Sequence, residues 1–122
     1  MTRRWIEVRS YNLKSGTRQA FHDLFTRQAL PMLERWSVDV VSAGPSPQDD
    51  VSYFLIRAYD SVAHRDQSQD AFYGSDEWRQ GPREAILAFI ESYTSVMLEV
   101  EEATIQDLRR TGTPLPAHRA AP

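Results

Sequence analysis

Glu7, Arg9 and Arg57 are the residues best suited to chemistry in this 122-residue chain. Glu7 and Arg9 stand two apart in the alternating stretch Trp5 to Tyr11, so both side chains leave one face of a strand. Arg57 holds the same phase in a second alternating stretch, Val51 to Tyr59. Two guanidiniums on one sheet face can clamp a carboxylate or enolate oxygen through their fixed donor forks. Glu7 can neutralise one of them or act as a base. Tyr11, Tyr53, Tyr59 and Tyr93 can stack on a planar ligand and donate hydrogen bonds to it. A neutral tyrosine, with a reference pKa of about 10, suits an acid's role better than a base's. His64, on the helix expected after Tyr59, can approach the same sheet edge. The same residues also suit a purely internal role, because buried ions must be matched and Glu7 beside Arg9 is such a match.

The composition removes several classes of function. Cysteine is absent, which excludes disulfides, thiolate chemistry and Cys-ligated zinc. His22, His64 and His118 are far apart in sequence, and no metal or cofactor is expected. There is no GxGxxG, phosphate-loop, GxSxG or HExxH motif. The net charge of −3 gives no basic footprint for nucleic acid. Every apolar stretch is interrupted by charge before the roughly 20 residues a membrane span needs. No apolar signal core follows Arg3-Arg4, so cytoplasmic residence is the default expectation.

These residues need a scaffold, and the periodicities supply one. The spacing predicts strands over 5–11, 38–43, 51–59 and 93–100. A helix is expected from Thr17, as its N-cap, to Trp36, with Phe21, Leu24, Phe25, Met32, Leu33 and Trp36 on its apolar side. Pro31 lacks a donor and crowds the carbonyl of Arg27, so a kink is expected near 27–31. A polar, largely exposed helix over 61–72 is capped by Asp60-Ser61, and Ser75 caps a short turn through Trp78. Gly81-Pro82 opens a further helix. The segment from Asp70 to Pro82 suits corner packing or a lid. Glu99, Glu101 and Glu102 read as a solvated strand end. Residues 1–110 form one domain, and 111–122, rich in proline and alanine, read as a disordered tail.

The order β-α-β-β-α-β is the split, ferredoxin-like α+β plan. Right-handed crossovers put both helical layers on one sheet face. The other face is expected to carry the Glu7, Arg9, Arg57 and tyrosine set. Two such faces meeting in a homodimer would enclose a shared, partly wet cavity.

Ile6-Glu7-Val8-Arg9-Ser10-Tyr11, the helix end Leu30-Pro31-Met32-Leu33-Glu34-Arg35-Trp36, and Tyr53-Phe54-Leu55-Ile56-Arg57-Ala58-Tyr59 together resemble the NIPSNAP family. The stretch from Phe72 through Arg83 is similar to what bacterial members show there. The resemblance covers about residues 5–100 and implies a dimeric α/β barrel. It transfers no catalytic residue, because the shared pattern is dispersed. The functional expectation is a small homodimeric protein that binds a small planar oxygenated metabolite. Cofactor-independent lyase, isomerase, cyclase or monooxygenase chemistry fits such a cavity, and so does a non-catalytic ligand-binding or structural dimer.

Overall fold

The computed structural model describes residues 2–111. Four strands form one antiparallel sheet in the order β2-β3-β1-β4. They are β1 (Arg3–Leu13), β2 (Asp39–Pro45), β3 (Ser52–Tyr59) and β4 (Ile90–Glu101). This is the strand order of the α+β plan expected above. β1 lies at the centre, pairing Glu7 with Arg57 on β3 and with Met97 on β4. Among the described residues, no helix is long and apolar enough to cross a membrane.

The first crossover is a single bent helical path. It comprises α1 (Arg18–Leu24), a π-helical turn (Phe25–Ala29) and α2 (Leu30–Arg35). Pro31 explains the bend. It has no N–H to give, and its ring crowds a carbonyl four residues back. Widening the preceding turn, so that the Leu30 N–H donates to the Phe25 carbonyl, absorbs the misfit without ending the helix. Thr17 does not cap α1 with its side chain; its hydroxyl donates instead to the Lys14 carbonyl at 2.6 Å. Ser37, just beyond α2, has φ 60°, and the Val38 N–H returns to the Leu33 carbonyl at 2.9 Å. This is a Schellman-type ending with serine in the left-handed position that glycine usually takes.

The second crossover contains α3 (Val62–Tyr73), α4 (Asp76–Gln80) and α5 (Arg83–Ala88). The Ser61 hydroxyl accepts from the His64 N–H, and the Ser75 hydroxyl accepts from the Trp78 N–H, so both expected caps form.

The helices cover the opposite sheet face from the one expected. The alternation itself is correct: Glu7, Arg9, Tyr11, Tyr53, Leu55, Arg57 and Tyr59 share one face. That face lies under the crossover helices, and every one of these residues is buried. The main core forms there, with Phe21, Phe25, Met32, Leu33, Phe72, Trp78 and Ile86 packed on Tyr11, Leu13, Tyr53 and Leu55. Two facing sheets would therefore not enclose the Glu7 set. The polar face can be buried because α3 brings Arg65, Gln69 and Tyr73 as its partners, which leaves Ile6, Val8, Ile56, Val96 and Leu98 on the other face.

One end of that second face is covered by α6 (Glu102–Thr111), where no element was expected. Ile105 is fully buried against Ile6, Val41 and Ala58. Arg109 ties the helix to β2, donating to Asp39 at 2.8 Å, and Asp39 also accepts from Arg4 at 3.1 Å. Glu102 thus starts a helix instead of ending a solvated strand, with its carboxylate 3.7 Å from Arg4. Of the tail expected over 111–122, Thr111 closes α6 and the remainder lies outside the described residues. Beyond α6 the second face is open, and Val96 and Leu98 are 57% and 49% exposed.

Candidate functional site

Glu7 is the hub of a buried polar network beneath α3. Its Oε1 accepts from Arg57 Nη2 at 2.6 Å and from Gln69 Nε2 at 2.6 Å. Its Oε2 accepts from Arg9 Nη2 and Arg65 Nη2, each at 3.0 Å. Four donors match the approximately four lone-pair sites of a carboxylate. Burial alone would raise the Glu7 carboxyl. Arg57 first, then Arg9, helped by the Arg65 hydrogen bond, outweigh that and lower it to about 2. A carboxylate so low and so fully occupied is a counter-ion, and it is poorly suited to take a proton near neutral pH.

The strands position one half of this network and α3 the other. Glu7 and Arg9 come from β1 and Arg57 from β3, where Glu7 and Arg57 are direct cross-strand partners. Arg65, Gln69 and Tyr73 come from α3 at a constant spacing of four, which places them in one row on the helix. The helix has almost no apolar side, because the sheet surface beneath it is polar at this point. The row is present in the sequence as Arg65, Gln69 and Tyr73 at i, i+4 and i+8, a polar stripe that on its own suits a solvent-facing helix equally well.

Tyr73 completes the network. Its hydroxyl oxygen accepts from Arg57 Nη1 at 2.9 Å and, at 3.5 Å, from Arg9 Nη1. Arg9 also donates from Nε to the Ser95 hydroxyl at 2.9 Å, and its guanidinium lies 4.6 Å from the ring centre of Tyr93. Burial opposes the charge of both Arg9 and Arg57, yet surrounding oxygens hold both above the usual arginine range, so both stay cationic. Arg57 Nε is buried with no partner among the described residues.

Beside this network runs an apolar cleft between the helices and the sheet. It encloses about 300 Å³ including its open mouth, and its interior has room for roughly one or two waters as it stands. Phe21, Phe25, Leu33, Leu55, Trp78 and Ile86 form its walls, and Tyr11 and Tyr73 line its polar end.

The sequence candidates therefore separate. Glu7, Arg9 and Arg57 converge on one network. Tyr11 lines the cleft, and burial pushes its phenol up to about 12. Tyr59 joins through Gln69 Nε2, which donates to its hydroxyl at 3.3 Å. Tyr93 sits at the sheet edge under Arg9, 54% exposed. Tyr53 is elsewhere: its hydroxyl lies 2.6 Å from His22 Nδ1, and its ring packs edge-on against Phe21. Burial raises the phenols of Tyr53 and Tyr59 as well. His64 serves the start of α3, accepting from the Asp60 N–H at 3.0 Å and standing edge-on to Tyr59. Arg65 and Gln69 are the additions the structure makes, and Tyr73 and Trp78 come to the site from the segment expected to pack a corner or form a lid. Among the described residues, no group of three or more His, Asp or Glu is placed to hold a metal ion.

Comparison with known proteins agrees with this architecture. Solved structures with the same fold include a NIPSNAP family protein from Agrobacterium tumefaciens. It matches at a TM-score of 0.77 and 13% identity, covering 87% of this chain and 93% of that one. An uncharacterized NIPSNAP domain protein from Burkholderia xenovorans matches at 0.68 and 21% identity, covering 77% and 91%. A putative antibiotic biosynthesis monooxygenase from Nitrosomonas europaea matches at 0.59 and 13% identity, covering 77% and 95%. No curated protein matches in sequence. The NIPSNAP family model matches residues 6–101, which run from the middle of β1 to the end of β4. With that match spanning most of the chain and all four strands, the chain belongs to the NIPSNAP family.

Proposed function

We propose that this NIPSNAP chain works as a homodimer in which each protomer binds a small planar oxygenated metabolite in its own cleft. The observation that carries the binding half is the cleft's composition: aromatic and aliphatic walls end on Tyr73, which is held by Arg57, and these walls must move apart to admit a ring, since the cleft as it stands has room for roughly one or two waters. Ligand sites commonly combine an apolar lining with a few convergent polar groups. The site lies between helices and sheet within one chain, not in a cavity shared between two sheets.

The homodimer half rests on the open sheet face. Val8, Ile56, Val96 and Leu98 stand together there, with Val8 paired to both Ile56 and Val96. A contiguous apolar sheet face of this kind is a surface that a second copy can bury. The same contact would complete a dimeric α/β barrel.

Binding is the favoured reading over proton-transfer chemistry at Glu7, because four donors already occupy its carboxylate. The enzymatic version is cofactor-independent chemistry on the bound metabolite, of the lyase, isomerase or monooxygenase kind. A putative monooxygenase sharing the fold gives it precedent at the level of fold alone.

The test is a titration followed by NMR at the Trp78 indole N–H, using 2-naphthol, 2-naphthoate and naphthalene as probes. Saturable shifts at Trp78, lost when Leu33→Trp fills the cleft, are the expected result. No shift at Trp78 with any probe overturns the reading.

A further inference from the structure

The Tyr73 hydroxyl is an incomplete hydrogen-bonding group at the boundary between the cleft and the cationic network. Its oxygen accepts from Arg57, and more distantly from Arg9. A phenol also has one proton to donate. Among the described residues, none accepts it. The ring lines the cleft, so the unused donor belongs to a group at the cleft's polar end.

Charge gives the second observation. Arg9, Arg57 and Arg65 contribute three positive charges. Glu7 lies within 3.0 Å of all three, and Asp66 lies 3.0 Å from Arg65. Two carboxylates against three guanidiniums leave one positive charge over. Arg65 has Asp66 beside it at the exposed side, so the excess resides on Arg9 and Arg57. Their side chains are 9% and 1% exposed. An unmatched buried charge is costly and favours a partner of opposite sign.

We infer that the ligand of this cleft is an aromatic or otherwise apolar monoanion whose charged oxygen, a carboxylate, enolate or phenolate, accepts a hydrogen bond from the Tyr73 hydroxyl. Arg57 and Arg9 supply the balancing charge through that hydroxyl. This rests on the cleft reading above and narrows it to one ligand class. Tyr73 is the specificity-determining group, and Glu7 holds the guanidiniums in place without touching the ligand.

The experiment compares benzoate and 2-naphthoate with their neutral isosteres benzamide and 2-naphthamide, titrated by NMR into the full chain. Wild type is expected to bind each acid at least about tenfold more tightly than its amide, since a hydrogen bond to a charged group is worth about 1.5–3 kcal/mol. Tyr73→Phe, which keeps the ring that packs in the cleft, is expected to reduce that preference about tenfold, because the acid loses a hydrogen bond to a charged oxygen and the amide only a weaker one to a neutral carbonyl. Equal affinity of wild type for acids and amides overturns the inference and leaves the cleft reading standing. A preference that persists undiminished in Tyr73→Phe, with its fold verified by NMR, also overturns it. Failure of all four probes to bind overturns the cleft reading and the inference with it. The acid–amide comparison on wild type needs no variant to fold.

Discussion

Glu7 Oε1 and Arg57 Nη2 lie 2.6 Å apart on neighbouring strands, and both side chains are almost fully withdrawn from solvent. The pair joins the central strand to β3 at the level where α3 crosses above it. Because Glu7 also accepts from Arg9, Arg65 and Gln69, one carboxylate binds two strands and a helix together. Glu7→Gln would strip the counter-ion from a buried arginine. A loss of about 3–5 kcal/mol is expected, the range for breaking a buried pair by removing one partner. Urea unfolding of the two proteins at neutral pH measures it.

The same carboxylate predicts acid sensitivity. Its folded pKa of about 2 lies below the ordinary value of 4.5, so the stabilisation is fully present above 4.5. It is lost progressively as the pH falls from 4.5 towards 2, because only the unfolded chain binds the proton readily in that window. The size is roughly 3 kcal/mol. Wild-type stability should therefore fall steeply between these limits. In Glu7→Gln the same stretch of the curve should be markedly flatter. Denaturant midpoints collected from pH 2 to 6 give the comparison.

Strand phase was legible in the sequence, and the covered face was not. Alternation groups Glu7 with Arg9 and Ile6 with Val8, but it carries no label for the side on which helices pack. The polar set looked suited to a wet interface because charged residues are seldom fully buried unless paired. The helix partners of Glu7 stand 58 and 62 residues away in sequence, at Arg65 and Gln69, and Tyr73 stands 16 residues from Arg57. Only the helical spacing of those three pointed to them. The π turn was legible as a disturbance at Pro31, although its form depends on how the helix relieves a single missing donor. Helix α6 escaped notice because its one deeply buried anchor, Ile105, is surrounded by polar residues.

That anchor carries a prediction. Ile105 is 0% exposed and is the core contact of α6 with Ile6, Val41 and Ala58. Ile105→Ala should lower stability by about 2–4 kcal/mol, the usual cost of deleting buried methyl groups and leaving a cavity. Hydrogen exchange should show the amides of α6 losing protection before those of β1.

Ser37 offers a change of the opposite sign. Its φ of 60° puts a residue with a Cβ in the left-handed region at the end of α2. Ser37→Gly relieves that strain, which costs roughly 1 kcal/mol, while loosening the unfolded chain by a smaller amount. A net gain of a few tenths to about 1 kcal/mol is expected, seen as a Tm higher by a few degrees.

The open sheet face gives the prediction on which the proposed assembly depends. Val96 is 57% exposed on β4, opposite Val8 at the centre of the uncovered apolar surface. A charge placed there has little to disturb inside one protomer, because the site is already solvated in the isolated chain. In a face-to-face dimer the same charge would be buried without a partner, which is strongly unfavourable. Val96→Glu should therefore shift the solution mass from two chains to one at micromolar concentration while leaving far-UV circular dichroism unchanged. Light scattering after size exclusion reads the mass directly. A wild-type chain that runs as a monomer throughout the concentration series would refute the dimer. A Val96→Glu variant that stays dimeric would move the interface off this face.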